Sequence, residues 1–381
     1  MGKRKVLIYR NHLLPYSETF VVNQAEHLKR YEPVYAGSRR VSGLTLPEDR
    51  VMVVNEGGAA GKIREIGAKL FGFPDSFTSR VARLGPSLIH AHFGPDGLQA
   101  LDLAKRTGLP LLVTFHGYDV TTRDEHAASW SHRHYVRNRM RLAGEGTLFI
   151  AISRFIRNKL LEQGYPEEKV RVHYTGINLD FFRPDPAVPR GRTVLFVGRL
   201  VENKGCRYLI EAMTEVGRTN PDVELVIIGD GPLRESLQRQ AEAARVRCRF
   251  LGVRPVEEVR EWMKRAAVFC VPSVEIHTGA SEGIGTVFME AQALELPVVS
   301  FATGGIPEAV IHGQTGLLAP PRDVAELARH LCRLLDDPEL WTAMSRRARR
   351  HVEKLFDLKK QNGLLEDIYD ECIHRFNDQS H

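Results

Sequence analysis

The sequence lacks long apolar runs and paired cysteines, and each absence excludes a class of protein. Its uninterrupted apolar stretches are short, such as residues 266–271, whereas a membrane-spanning helix needs about 20 apolar residues. Only four apolar residues follow the basic start at residues 3–5, too few for the core of a signal peptide. The five cysteines include no Cys-x-x-Cys pair, which is the usage of a reducing compartment. We therefore expect a cytoplasmic protein without a membrane-spanning helix.

Motifs for metal-dependent and nucleic-acid-binding functions are also missing. None of the 15 histidines lies in a His-Glu-x-x-His motif, and no Asp-x-Asp triplet occurs. A net charge of +6 and a pI near 9.1 would suit a nucleic-acid-binding protein. However, no helix-turn-helix, RNA-recognition motif or alternation of aromatic and basic residues accompanies that charge. We expect no resident metal or cofactor and no nucleic-acid partner.

The sequence does contain a regular alternation of short apolar runs with longer amphipathic stretches. The short runs are apolar on both faces, which is typical of parallel strands covered by helices on two sides. The 381 residues also exceed the ~250–300 at which single cores stop growing. We predict an α/β protein with two Rossmann-like, doubly wound parallel-sheet domains. The predicted strands are 5–10, 51–55, 87–93, 111–117, 147–153, 170–176, 193–199, 224–230, 246–252, 268–273 and 297–301.

A proline-rich segment predicts the boundary between the two domains. Pro184, Pro186 and Pro189 lie so close together that neither a helix nor a strand can continue through them. We place the first domain at residues 1–185 and the second at 186–355. The tail, 356–381, has apolar residues at helical spacing and is predicted to return to the first domain as a helix.

In an open parallel sheet, ligands bind beyond the carboxyl ends of the strands, so the residues after each strand are the candidates for a site. In the second half, Gly198, Arg199 and Lys204 follow one predicted strand. Two cations in a strand-to-helix turn suit a phosphate or diphosphate, and glycine lets the backbone approach it closely. The alternative is a pair of solvated surface cations. Two further turns, 229–231 and 303–308, offer either backbone amides for the same ligand or ordinary chain reversals.

The richest turn contains Glu282 and leads into a helix predicted to start at Gly285. The backbone amides of residues 284–287 would point outward, toward an anion. Glu290 lies about five residues into the helix, some ~8 Å along its axis. Carboxylates on both sides of an anion site can accept hydrogen bonds from the two sugars of a nucleotide-sugar. The alternative is that Glu282 is a surface acid and Glu290 half of an i,i+4 pair.

These turns together resemble those of glycosyltransferase family 4, which contains retaining, nucleotide-sugar-dependent enzymes of the GT-B fold. The resemblance covers nearly the whole chain, and it implies two Rossmann-like domains that face each other across a cleft. The motifs occur in family order at residues 198–205, 228–232 (Ile-Gly-Asp-Gly-Pro), 250–252 (Phe-Leu-Gly), 282 and 290 (Glu and Glu), 304–308 (Gly-Gly-Ile-Pro-Glu) and 312–318. Their combination is specific, although no single motif is.

The resemblance also implies roles for individual residues. Arg199 and Lys204 would bind the donor diphosphate, Glu282 the hydroxyls of the donor sugar, and Glu290 those of the ribose. The backbone around Val253 would contact the base. The full predicted donor-binding set is Gly198, Arg199, Lys204, Gly229, Asp230, Gly231, Val253, Glu282, Gly283, Ile284, Gly285, Thr286, Val287 and Glu290.

The first half adds residues for catalysis and for the acceptor. Many family members have a Gly-Gly pair after the first strand, whereas residues 15–20 read Pro-Tyr-Ser-Glu-Thr-Phe, a form that resembles the exopolysaccharide branch with its colanic-acid-type transferases. His116 follows a strand and is expected to touch the donor sugar, the alternative being a structural histidine. The predicted catalytic set is His116, Glu282, Arg199 and Lys204. The predicted acceptor-side set is Ser17, Glu18, Thr19, His92 and Asp119.

The expected reaction expels a nucleoside diphosphate from an anomeric carbon. Arg199, Lys204 and the amides near Gly285 would stabilise the charge that develops on the β-phosphate. The resemblance implies retention of configuration, a UDP- or GDP-linked hexosyl donor and a lipid-linked oligosaccharide acceptor in exopolysaccharide or cell-surface polysaccharide synthesis. A small-molecule acceptor and a sugar-nucleotide epimerase are the alternatives.

The positive charge is concentrated in the first half of the chain. Residues 1–185 carry a net charge of +8 and residues 186–381 a net charge of −2. The segment 131–141 is predicted to be a basic helix in which Tyr135, Val136 and Met140 accompany four arginines, with His132 and His134 on its surface. Such a helix predicts peripheral binding to an anionic surface at the inner face of the cytoplasmic membrane, or else a solvated helix face.

Overall fold

The computed structural model describes residues 2–15 and 18–379, apart from the side chain of Gln379. Contacts divide the chain into two compact units, one formed by the residues up to 176 together with those from 358 onward, the other by residues 177–357. The proline-rich segment therefore lies inside the second unit and not at a boundary. The reason is that the preceding residues already belong there: Ile177 bridges to Asp357, and the carbonyl of Phe182 accepts a hydrogen bond from Arg349.

The first unit is a parallel sheet with helices around it. Its strands run in the order β2-β3-β1-β5-β6-β7-β8, and β4 pairs with β3. The strands are β1 (Arg4–Tyr9), β2 (His12–Leu13), β3 (Tyr31–Arg40), β4 (Val51–Asn55), β5 (Leu88–His92), β6 (Leu111–Phe115), β7 (Leu148–Ala151) and β8 (Val170–Val172). The helices are α1 (Thr19–Glu26), α2 (Gly58–Phe71), α3 (Asp75–Leu84), α4 (Gly94–Thr107), α5 (Tyr118–Thr121), α6 (Trp130–Glu145), α7 (Arg154–Glu162) and, from the chain end, α15 (Leu358–Gln379).

The core of the first unit lies on the central strands of this sheet. All residues of β5 and β6 are buried, as expected for parallel strands covered on both faces. Helix α15 packs on the same core through Leu365, Tyr369 and Cys372, all fully buried. The apolar pattern did not predict β3, because Pro33 and Gly37 interrupt its run. Gly37 is required there, since a Cβ would come 2.2 Å from the carbonyl oxygen of Arg10.

The second unit is a six-stranded parallel sheet in the order β11-β10-β9-β12-β13-β14. Its strands are β9 (Thr193–Val197), β10 (Glu224–Ile228), β11 (Cys248–Gly252), β12 (Val268–Cys270), β13 (Val298–Phe301) and β14 (Gly316–Ala319). Its helices are α8 (Cys206–Thr219), α9 (Arg234–Ala243), α10 (Val256–Arg265), α11 (Thr286–Ala293), α12 (Ile306–Ala309), α13 (Val324–Asp336) and α14 (Pro338–Leu355). Two parallel-sheet α/β units confirm the predicted fold class.

Each sheet has a point at which the direction of winding reverses. In the first sheet the chain goes from β1 outward to β3 and then returns to β5 on the other side of β1. In the second it goes from β9 through β10 to β11 and then returns to β12 on the other side of β9. Crevices form at such switch points, beyond the carboxyl ends of the strands. Among the described residues, no helix combines the length and the apolar character that crossing a bilayer requires.

Candidate active site

A salt bridge joins the two sides of the crevice in the second unit. Lys204 ends a short 3₁₀ turn after β9, and Glu282 lies in the loop that follows β12. Lys204 Nζ donates to Glu282 Oε2, and Ser273 Oγ lies 3.5 Å from the same oxygen. The two charged side chains are 21% and 14% exposed, so a ligand can still reach them. Two residues that the sequence assigned to one site, 78 positions apart, are thus brought into contact.

Glycine makes this contact geometrically possible. Gly205 directly follows Lys204 and has a φ of +68°, in the left-handed region. A Cβ at this position would come 1.8 Å from the carbonyl oxygen of Pro272, just beyond β12. Gly229, after β10, would likewise bring a Cβ 1.9 Å from the carbonyl oxygen of Gly198. Neighbouring turns therefore lie backbone against backbone around the crevice.

Two other predicted donor-binding residues have unsatisfied side chains. Arg199 is exposed, and within the part of the chain that the structure describes its guanidinium makes no hydrogen bond or ion pair. Glu290 is half-buried in α11 and also has no partner there, so the alternative of an i,i+4 pair finds no support. Removal from water raises the pKa of Glu290 to about 7. The carboxyl group is placed to accept hydrogen bonds that the protein itself does not supply.

The start of α11 exposes backbone donors, as predicted. The helix begins at Thr286, and Gly285 is its N-cap with a φ of +76°. Over residues 2–15 and 18–379, no acceptor bonds the amides of Ile284 to Val287. Four such amides at a helix N-terminus carry partial positive charge and suit an anion.

The Gly-Gly turn at 303–308 supports this site instead of opening toward a ligand. The amide of Gly305 donates to the carbonyl oxygen of Glu282 at 2.9 Å. A Cβ on Gly304 would come 2.2 Å from that same oxygen. Thr303 Oγ1 donates to the carbonyl of Ser273 at 2.7 Å. The turn therefore holds the Glu282 loop in place, and the amide of Gly305 is not available to a diphosphate.

The remaining predicted donor-side residues follow β10 and β11. Asp230 Oδ1 accepts from the amide of Gly231 at 2.7 Å, and Arg234 forms an ion pair with Asp230 at 3.4 Å. Both glycine amides of this turn are already bonded, since the amide of Gly229 donates to the carbonyl oxygen of Gly252 at 2.8 Å. Val253 is exposed directly after β11.

The crevice of the first unit is filled by Arg10, which sequence reasoning missed. Arg10 Nε donates to Glu18 Oε2 at 2.8 Å, and its other nitrogens bind Glu18 Oε1 and Asp96 Oδ2. Its guanidinium lies over the ring of Phe93, 4.3 Å from the centroid. Burial opposes the charge of Arg10, but Asp96 and Glu18 raise its pKa above the ordinary value. One signal could have found it, because Arg10 is the last residue of the predicted strand 5–10, at the carboxyl end where ligand-binding residues are expected.

Glu18 was predicted on the acceptor side, and its carboxylate is engaged by Arg10 in the interior. Thr19 begins α1 and is exposed. Ser17, the third residue of that predicted group, lies outside the described residues.

His92 and His116 meet at the carboxyl ends of β5 and β6. His92 Nδ1 lies 3.0 Å from His116 Nε2, and the rings stack with centroids 5.2 Å apart. Phe20 and Phe93 pack against His116 at centroid distances of 4.8 and 4.6 Å. Burial, with the nearby charge of Arg10, holds the pKa of both histidines well below the usual range. Both rings are therefore neutral at neutral pH.

Asp119 is directed into the protein and braces this region. Its carboxylate accepts backbone amides from Gly94 at 3.0 Å, His116 at 3.2 Å and Gly117 at 2.9 Å. Burial raises the pKa of Asp119 to about 6, although these three amides act in the opposite direction. Asp119 thus joins the loop after β5 to the loop after β6, which positions His116.

The basic helix differs from its prediction. In α6, Tyr135 is buried and its hydroxyl lies 3.0 Å from that of Tyr165. His132 is buried too, so the prediction that it lies on the surface was wrong. The reason is that α6 packs on α4, and these two residues are among the buried residues of α6. Arg139 forms an ion pair with Asp124 at 2.6 Å, which leaves only part of the helix available to a partner.

Among the described residues, no group of three or more His, Cys, Asp or Glu side chains is placed to hold a metal ion. Metal-independence stays a prediction.

Comparisons with known proteins agree with the two-unit arrangement. The family model for Glycosyltransferase Family 4 matches residues 17–181, and the model for Glycosyl transferases group 1 matches residues 180–351. The putative colanic acid biosynthesis glycosyltransferase WcaL of Escherichia coli (strain K12) is 33% identical over 286 residues, which are 73% of this chain and 69% of that protein. This chain belongs to the family 4 glycosyltransferases.

Two further proteins are similar to this glycosyltransferase. The GDP-mannose-dependent alpha-(1-6)-phosphatidylinositol monomannoside mannosyltransferase of Mycolicibacterium smegmatis is 33% identical over 257 residues, 64% of this chain and 65% of that protein. Anabaena HepE, solved in complex with UDP and glucose, has a TM-score of 0.78 over 97% of this chain and 100% of that chain, at 21% identity. The structural similarity confirms the GT-B fold.

Proposed function

We propose that this family 4 glycosyltransferase moves a hexosyl group from a UDP- or GDP-linked donor to a saccharide acceptor, with retention of configuration and without a metal ion. The observation that carries the proposal is the Lys204–Glu282 pair at the switch point of the second sheet. Arg199 lies in the same turn as Lys204, and the loop of Glu282 leads into α11, which has free backbone amides at its start and contains Glu290. A nucleotide-sugar would supply a partner for each of these groups, because its diphosphate is an anion and both of its sugars carry hydroxyl groups.

The chemistry proposed for these groups follows from their charges. A donor diphosphate would take the place of Glu282 as the partner of Lys204, and Arg199 and the amides at the start of α11 would share its charge. Glu282 would then accept hydroxyls of the transferred sugar, and Glu290 those of the ribose. As the sugar leaves, charge grows on the β-phosphate, where positioned donors stabilise it most.

The neutral imidazole of His116 fits the role that the family resemblance implies, contact with the donor sugar. Its Nε2 faces His92, so Nδ1 is the atom proposed to make that contact. No carboxylate pair of the hydrolase type is required, and the departing phosphate is proposed to take the proton of the acceptor hydroxyl.

The acceptor is proposed to be a lipid-linked oligosaccharide in exopolysaccharide or cell-surface polysaccharide synthesis. The colanic acid relative supports this choice, and the mycobacterial relative is named for a lipid acceptor. A peripheral location at the inner face of the cytoplasmic membrane belongs to the same proposal.

The test is transfer by the purified protein from UDP-, GDP- and ADP-sugars, measured as released nucleoside diphosphate, with the product anomer assigned by NMR. Lys204→Ala and Glu282→Gln are each expected to lower the rate at least ~100-fold while leaving the fold intact. Lys354→Ala, which changes an exposed lysine of α14, serves as the control and should act like wild type. Wild-type turnover in either site variant would remove the proposal, and conversion of UDP-GlcNAc without any acceptor would favour an epimerase.

A further inference from the structure

Helix α2 is turned the opposite way from an ordinary surface helix. Its buried residues are Gly61, Glu65 and Ala68. Its large apolar side chains face solvent instead, with exposed fractions of 70% for Ile63, 58% for Ile66, 57% for Leu70 and 88% for Phe71. An amphipathic helix normally buries such residues. Contiguous apolar surface of this kind marks an interaction site.

The orientation of α2 is fixed by specific contacts on its inner side. Glu65 Oε2 accepts from Asn55 Nδ2 of β4 at 2.7 Å, and Glu65 Oε1 forms an ion pair with Arg39 Nε of β3 at 3.7 Å. A Cβ on Gly61 would come 2.3 Å from Asn55 Oδ1, so α2 packs closely against that side chain. Rotation that buried Ile63 or Ile66 would break the contacts of Glu65. The outward apolar residues are therefore a stable feature of the surface.

The apolar surface continues onto α6. A cavity of about 340 Å³ is lined by Leu70 and Phe71 at the end of α2 and by Trp130 at the start of α6. Trp130 is 53% exposed and stacks on His134, with ring centroids 5.2 Å apart. An amphipathic aromatic ring next to aliphatic side chains is typical of a surface at the boundary between water and lipid.

The charges on α2 indicate what kind of partner its apolar residues contact. Lys62 and Arg64 lie beside the apolar residues, both exposed, and within the described chain neither has an ion-pair partner. The one acid of the helix, Glu65, is on the inner side. Two copies of this surface would bring like charges together, which opposes self-association. A bilayer with anionic headgroups satisfies both the apolar and the cationic residues.

We propose that the α2 face, formed by Lys62, Ile63, Arg64, Ile66, Leu70 and Phe71, docks this protein onto an anionic lipid bilayer. The apolar side chains enter the boundary between headgroups and acyl chains, and Lys62 and Arg64 remain among the headgroup phosphates. The helix lies in the plane of the interface and does not cross it. This inference rests on the proposed function in one respect, namely that the acceptor is held in a membrane.

The test is co-sedimentation of the full chain with vesicles of phosphatidylcholine alone and of phosphatidylcholine mixed with phosphatidylglycerol. We expect binding to the mixed vesicles at low salt and weaker binding at high salt. The double variant Ile66→Ser, Phe71→Ser should lower the partition coefficient at least about tenfold. Lys62→Gln with Arg64→Gln should lower it about 25-fold, at about fivefold per cation.

Matched controls change the same residue types elsewhere. Leu364→Ser removes an exposed apolar side chain from α15, and Arg346→Gln with Arg347→Gln removes two exposed cations from α14. All of these positions are exposed, so unchanged thermal unfolding is expected for every variant. Equal vesicle binding by the α2 variants and the controls would overturn the proposal. So would a dimer that the Phe71→Ser change dissociates, without any vesicle binding.

The two proposals fail separately. Lys204→Ala should bind vesicles like wild type although its transfer rate is lost. Vesicle binding that depends on α2, in a protein that transfers no sugar, would leave the docking surface standing and remove the proposed function. Transfer to a soluble acceptor without any vesicle binding would support the proposed function and remove the docking surface.

Discussion

The two crevices hold a cation and a carboxylate at corresponding places, but only one of the pairs is accessible. Arg10 and Asp96 meet between β1 and β5, and Lys204 and Glu282 meet between β9 and β12. The side chains of the first pair are 10% and 9% exposed, those of the second 21% and 14%. Glu18 and Phe93 complete the surroundings of Arg10, whereas Arg199 and Glu290 remain unsatisfied in the second unit. The same position in the fold thus serves as a structural lock in one unit and as a candidate ligand site in the other.

The largest expected effect on stability comes from removing the buried guanidinium of Arg10. Arg10→Met leaves Glu18 and Asp96 buried without their partner and should lower the free energy of unfolding by about 3–5 kcal/mol. Urea-induced unfolding measures this difference. Arg40→Met is the control, because Arg40 pairs with Glu48 at the surface and such pairs contribute about 0–1 kcal/mol. Similar losses in both variants would contradict the assignment of Arg10 as a buried structural residue.

A smaller effect is expected from the backbone of the open site. Gly205→Ala forces a Cβ into the left-handed region, at a cost of about 1–2 kcal/mol, and against the carbonyl of Pro272. We expect a lower free energy of unfolding together with slower sugar transfer, because Lys204 and the end of β12 must move apart. Gly217→Ala, in the same α8 region, meets no atom within 4 Å and should stabilise the helix by about 0.5–1 kcal/mol. If Gly205→Ala changed neither the free energy of unfolding nor the rate of sugar transfer, the close contact between residue 205 and Pro272 would not be needed.

The smallest expected effect is a pH dependence of donor binding. The raised pKa of Glu290, about 7, means that the carboxyl group is partly protonated at neutral pH. Because hydroxyls of the ribose favour the ionised form, donor affinity should rise between pH 6 and 8, with release of less than one proton. Titration calorimetry with a nucleotide-sugar in buffers of different ionisation enthalpy measures this release. Glu290→Gln should abolish it, and a pH-independent wild type would contradict the assignment.

The buried titratable groups of the two units change the free energy of unfolding in opposite directions as pH rises. The folded state holds the proton of Glu290 more tightly than the unfolded state, so its contribution to stability is present at low pH and is lost as pH rises through about 7. His92 and His116 have lowered pKa values, so their contribution is present at neutral pH and is lost as pH falls below ~6.5.

The sequence alone was enough to name candidate donor-side residues, because their signals are local, and their roles stay predictions. Lys204, Gly205 and Gly285 lie in short turns directly after strands, where glycines and charged residues are typical of ligand-binding turns. The Arg10 cluster was missed because Asp96 is 86 residues away along the chain. Only the adjacency of β1 and β5 brings the two together. β3 was missed for a related reason. Pro33 interrupts the apolar run that predicts a strand, yet in the structure it lies within β3, paired with Val6 of β1.

The sequence by itself determined the family, the two α/β units and the turns of the candidate site, since periodicity and turn residues act over a few positions. The tertiary structure decided which polar groups are already satisfied. Lys204 was predicted to bind a diphosphate and is found paired with Glu282, whereas the side chain of Glu290 has no partner among the described residues. It also decided which side of α2 faces inward, because the partner of Glu65 is Asn55 on a neighbouring strand. Hydrogen bonds between distant segments are set by packing, and composition does not record them.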